Sequence, residues 1–97
     1  MTYRFKKKEG MTEIDTYAMV EVTWIDPVSD SSWLSKEELL SMKPGLCKTT
    51  GRVLKKDRYH IRIFGDWQLD DEGENISSVG NVTVIPNVLI KDIKVIK

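Results

Sequence analysis

Gly51-Arg52-Val53-Leu54-Lys55-Lys56-Asp57-Arg58-Tyr59-His60-Ile61-Arg62-Ile63-Phe64-Gly65-Asp66-Trp67 is the run from which the fold is read. On either side of Lys56-Asp57-Arg58 apolar and polar residues alternate, as in a strand with one face on a core and one in water. An aspartate at a tight connection bonds nearby backbone amides. The run therefore predicts a hairpin with arms Leu46 to Lys55 and Tyr59 to Gln68. Tyr59, Ile61, Ile63, Gly65 and Trp67 share one face of the second arm, and His60, Arg62, Phe64 and Asp66 share the other. Gly51 suits a bend where two backbones approach too closely for a Cβ.

Before the hairpin, Val20, Val22 and Trp24 alternate with Glu21 and Thr23, which predicts a first strand from about Tyr17 to Ile25. Asp26-Pro27 ends it, and Ser29-Asp30-Ser31-Ser32 extends the loop. Ser35 and Glu38 form a capping box for a short helix, with the cap contributing about 1 kcal/mol. Leu34 can staple onto Leu39, and Leu39, Leu40 and Met42 give the stripe expected to be buried. Pro44-Gly45 stops the helix near Met42. After the hairpin, Leu69 to Ser77 reads as a solvated loop, Val82 to Ile85 as a fourth strand and Pro86 to Leu89 as a single turn. Ile90 to Ile96 reads as a fifth strand with Ile93 and Val95 inward. Five strands with a bent central hairpin and one short helix between the first and second predict a mainly β, five-stranded SH3-like or Sm-like barrel.

The chain has 97 residues, enough for one modest core. Its 40% hydrophobic and 31% charged content is that of a folded protein. Residues 1–16 read as a flexible basic arm, with Arg4, Lys6, Lys7 and Lys8 set among Tyr3 and Phe5, and residues 17–97 as one domain. Fifteen basic residues balance fifteen acidic ones, so any attraction to phosphate must be local. Cys47 and His60 are the only residues of their kinds, which excludes an internal disulfide and a Cys/His zinc site. The sequence lacks an apolar run of membrane-spanning length and a signal-peptide pattern, so a cytoplasmic protein without a membrane partner is expected.

Gly51 to Ile63 resembles the first motif of the Sm and Sm-like family, with a strand glycine, an aspartate after it and then alternating apolar residues. The bacterial RNA chaperone Hfq is similar in this spacing. Ile85-Pro86-Asn87-Val88-Leu89-Ile90-Lys91-Asp92-Ile93 is similar to the family's second motif in length and apolar positions. The resemblance implies an Sm-like barrel that binds single-stranded RNA and closes into homo-oligomers. Pro86-Asn87 stands where the family's Arg-Gly pair lines a uridine pocket, and Tyr59-His60 stands in the neighbourhood of its base-reading Asn. RNA contact with little sequence preference is therefore the expectation. Trp24-Ile25-Asp26, Ser32-Trp33, Glu37-Glu38-Leu39 and Ile85-Pro86 also resemble small bacteriophage proteins of unknown function, which would place the chain in the host cell cytoplasm.

The basic hairpin carries Arg52, Lys55, Lys56, Arg58 and Arg62 against one acid, Asp57. Phosphate-pairing groups beside stacking rings are how single-strand binders work, which makes Arg52, Lys56, Arg58, Tyr59, His60, Arg62 and Phe64 the candidate RNA contacts. A merely soluble hairpin would carry the same charges. His60 has no nucleophile and orienting acid near it in sequence, so neither an enzyme nor a small-molecule substrate is expected. Asp70, Asp71, Glu72 and Glu74 lack calcium-loop spacing and read as a solvated turn, so neither metal nor cofactor is expected. The alternative role is an assembly module pairing its exposed strand edges with copies of itself, with Trp33 and Leu34 as anchors.

Overall fold

Alternation from Gly45 to Leu69 produces two long strands that form the centre of one antiparallel sheet. The computed structural model describes residues 3–96; Met1 and Thr2 of the expected arm, and Lys97, lie outside the described residues. The strands are β1 (Met19–Asp26), β2 (Gly45–Lys56), β3 (His60–Leu69), β4 (Ile76–Pro86) and β5 (Ile90–Val95), with one helix, α1 (Lys36–Ser41), between β1 and β2. Single 3-10 turns occupy Glu13–Thr16 and Asn87–Leu89. The sheet order is β4-β3-β2-β1-β5. No ladder joins β4 to β5 among the described residues, so the sheet is open and not closed into a cylinder.

The core lies where β2 has neighbours on both sides. Val20 and Val22 of β1, Val53 of β2, Ile61 and Ile63 of β3 and Ile85 of β4 are buried there, with Leu89, Ile90 and Ile93 packed on them. Gly51 is where β3 approaches β2 most tightly: a Cβ on it would overlap the Ile63 Cγ2 methyl and sit 2.9 Å from the Phe64 carbonyl oxygen. One step on, the β2–β3 register shifts between Val53 and Lys55. The extra residue, Leu54, is turned outward, as bulges do.

On the far side of Gly51 the two ribbons part. β2 residues 45–51 pair with β1 alone, while β3 beyond Gly65 pairs with β4 alone. The molecule consequently extends 61 Å along its longest axis. Asp26 pairs with Gly45 at the end of the β1–β2 ribbon, so α1 sits past the last strand pair. The Ser35–Glu38 capping box forms as expected. The expected burial of the helix stripe does not occur: Leu39 is 63% exposed and Leu40 85%. The reason is position, because at the ribbon's end α1 has no core beneath it.

Further corrections follow from pairing partners distant in sequence. β4 starts at Ile76, not Val82, because Ile76, Ser78, Val79 and Gly80 pair with Leu69, Gln68, Trp67 and Asp66. Serines and Asn81 in that stretch conceal a strand from a reading by alternation. Val95, expected inward, is exposed at the β5 edge. Tyr59, expected to begin the second arm on the face of Ile61 and Ile63, lies outside β3 and is 68% exposed.

Within residues 3–16, expected as a flexible arm, Tyr3, Arg4, Phe5 and the turn Glu13–Thr16 are bonded to the sheet or to one another. Ala18 N–H donates to the Tyr3 carbonyl at 2.9 Å, and Arg4 Nε donates to Thr16 Oγ1 at 2.8 Å. The Arg4 guanidinium also stacks on the Tyr17 ring at 3.9 Å. Glu13 ties the segment to β4: one carboxylate oxygen accepts from Ile76 N–H at 2.8 Å and the other from the Tyr17 hydroxyl at 3.0 Å. Burial, reinforced by that acceptor, raises the Tyr17 phenol pKa. These are long-range contacts between polar residues, which leave no periodic trace in a sequence.

Candidate functional site

The β2–β3 connection is organised by Asp57. Its Oδ1 accepts from the backbone N–H of Tyr59 at 2.8 Å and of His60 at 3.0 Å, and its Oδ2 accepts from Arg62 Nη1 at 3.0 Å. His60 Nδ1 lies 3.1 Å from Asp57 Oδ1, and Arg62 Nη2 lies 3.3 Å from His60 Nε2. Asn87 braces the turn by donating Nδ2–H to the Asp57 carbonyl at 2.9 Å. The two amides and then the Arg62 guanidinium hold the Asp57 carboxyl well below the usual carboxylate range.

A carboxylate with a depressed folded pKa adds stability above its unfolded value, near 3.9, and loses that stability as pH falls through the folded value. Asp57→Ala is accordingly expected to melt below the wild type at every pH above about 4, with the gap narrowing under more acidic conditions. Melting curves from pH 7 to pH 2 check this; a gap independent of pH would separate Asp57 from the effect.

Of the seven candidate RNA contacts, the structure leaves Lys56, Arg58 and Tyr59 exposed together at the turn, with the Arg58 guanidinium 5.8 Å from the Tyr59 ring centre. Arg62 and His60 face the Asp57 carboxylate. Arg52 points away from solvent: its Nη1 donates to the Tyr17 carbonyl at 2.9 Å and to that of Ile14 at 3.4 Å. Phe64, expected on a solvent face, is 1% exposed, edge-on to Tyr17 at 5.6 Å and to Trp67 at 6.4 Å. The outer face of β3 at Phe64 is covered by Tyr17, so alternation correctly placed Phe64 opposite Ile63 and wrongly placed water there.

Three apolar surfaces stand out, of which the first two were not recognised as functional from the sequence. The first is the β4 edge: Ile76–Pro86 is eleven residues long without a charged side chain, whereas the opposite edge, β5, carries Lys91, Asp92 and Lys94. The second is a groove of about 210 Å³ lined by Leu54, Phe64, Val79, Val82, Val84 and the Arg62 side chain, among others. Val82 faces Phe64 and Val84 faces Arg62 across the ladder, yet both valines are more than half exposed. The third is the ribbon tip, expected as an anchor through Trp33 and Leu34, where Trp33 is 101% exposed, Leu39 63% and Leu40 85%, while Leu34 is half-buried. One signal was available in Val82-Thr83-Val84-Ile85, since a strand apolar on both faces is normally covered on both.

No family model, curated protein or solved structure matches the chain. The likeness to Sm-type proteins therefore rests on the spacing around Gly51 and Asp57 and on the Ile85–Ile93 segment. No helix among the described residues is long and apolar enough to cross a membrane.

Proposed function

We propose that the chain is an assembly module of the SH3-like or Sm-like kind, which self-associates through the surfaces its open sheet leaves uncovered. The observation that carries this reading is the β4 edge. Proteins that remain single protect long edge strands with charge, proline or a cover, and an unprotected one is a template for another chain. β4 is tied by Glu13 only at its first residue, Ile76, has a proline only at its last, and presents Val79, Val82 and Val84 to solvent. The strand order, the close approach at Gly51 and the single turn between β4 and β5 support the small-barrel relationship. Exposed Trp33 and Leu40 support association independently, because large apolar side chains gathered at one tip mark contact surfaces.

Weak single-stranded RNA binding is a second reading, favoured by the cluster of Lys55, Lys56, Arg58 and Tyr59, all exposed at one turn. Light scattering across a concentration series, with and without short labelled RNAs at low and high salt, separates the two. Assembly predicts a mass above that of the monomer in the absence of RNA. RNA binding predicts an anisotropy rise that falls steeply with salt. A strict monomer at high concentration overturns the assembly reading.

A further inference from the structure

We infer that the α1 tip of one copy docks in the β3–β4 groove of a second copy, with Trp33 as the anchor. This rests on the self-association reading and names the two surfaces that meet. The tip offers Trp33, Leu39 and Leu40 with nothing beneath them. The groove, about 210 Å³, has room for one large side chain and its exposed lining is mainly Leu54, Val79, Val82 and Val84. Within one chain they do not meet: Trp33 is fully exposed, and the groove residue Leu54 lies nine residues along β2 from the tip's base at Gly45. At strand rise that is up to about 30 Å.

Charge selects a second copy as the occupant. The tip, residues 26–45, carries Asp26, Asp30, Glu37 and Glu38 against Lys36 and Lys43. The hairpin turn beside the groove presents Lys55, Lys56 and Arg58 to solvent, whereas Arg52 is bonded to the Tyr17 carbonyl and Arg62 to Asp57. The tip is therefore net acidic and the turn end of the groove net basic, while Asp66, Asp70, Asp71, Glu72 and Glu74 lie toward the opposite end of the β3–β4 ribbon. Two copies meeting tip to tip would oppose like charges, whereas tip to groove opposes unlike ones. The contact joins different patches, so repeated from copy to copy it yields a ring or a filament.

The test pairs variants that each spoil one surface. Trp33→Asp with Leu40→Asp removes the tip, and Val82→Thr with Val84→Thr makes the groove polar while keeping strand-forming, β-branched residues. Circular dichroism melts near that of the wild type show that both pairs fold. Each variant alone should associate at least tenfold more weakly than wild type, as loss of a tryptophan anchor does. A mixture should form one-to-one heterodimers, because the groove variant has an intact tip and the tip variant an intact groove. Wild-type association in both variants, or a mixture that stays monomeric, overturns the docking while leaving self-association standing. A monomeric wild type removes the reading on which the docking rests.

Discussion

Gly51→Ala is expected to lower stability by about 2–3 kcal/mol, the upper part of the range for an atom forced into a filled site. For a domain of this size that lowers Tm by on the order of 10 °C or more. The added Cβ would overlap the Ile63 Cγ2 methyl and lie 2.9 Å from the Phe64 carbonyl oxygen. The methyl could move by rotating the Ile63 side chain, but Ile63 is itself a core residue at 3% exposure, so rotation displaces its neighbours. The carbonyl belongs to the β3 backbone, which can shift only with its ladders to β2 and β4. Gly45→Ala is the control, since a Cβ there meets Asp26 atoms no nearer than 3.7 Å. It should stay within about 0.5 kcal/mol of wild type. Thermal unfolding of both variants decides the matter: equal effects would mean that β3 does not approach β2 so tightly at Gly51.

The parts of the fold that could be read from sequence are those whose cause is local. Asp57 could be placed at a turn because a short carboxylate bonds the next amides in the chain, and the structure has it bonded to Tyr59 and His60. Ser35 and Glu38 likewise cap a helix from positions three residues apart. What failed depended on what lies opposite a residue. Leu39 and Leu40 have a buried helix's pattern without a core below, because the ribbon that carries them outruns the sheet. Arg52 and Phe64 alternate onto a face that Tyr17 covers from 35 positions earlier, in the case of Arg52. The solvent placement of Arg52 and Phe64 failed for that reason. The turn residues Lys56, Arg58 and Tyr59 are exposed because a tight turn has no neighbour to cover it. The apolar groove was missed for a related reason, since it combines Leu54 from a bulge with valines from β4.

Phe64→Ala should cost about 3–5 kcal/mol, as truncation of a buried phenylalanine does. Natural domains have only about 5–15 kcal/mol of total stability, so this variant should sit at the edge of unfolding at room temperature. The cause is a cavity that neither neighbour can fill. Tyr17 meets the ring edge-on at 5.6 Å and is held by its hydroxyl bond to Glu13, while Trp67 is anchored in the β3–β4 ribbon. Phe64→Leu keeps most of the volume and should lose about 1–2 kcal/mol. The comparison bears on function because two roles for the ring predict different outcomes. An exposed stacking ring could be cut to alanine with a stability change within about 0.5 kcal/mol, lowering only RNA affinity. A ring packed between Tyr17 and Trp67 cannot, and any RNA or self-association defect in the alanine variant would then reflect lost fold. Urea unfolding with an unchanged slope and a midpoint ordered wild type, leucine, alanine identifies Phe64 as packing. An alanine midpoint equal to wild type would return Phe64 to the surface and restore it as a nucleic-acid contact.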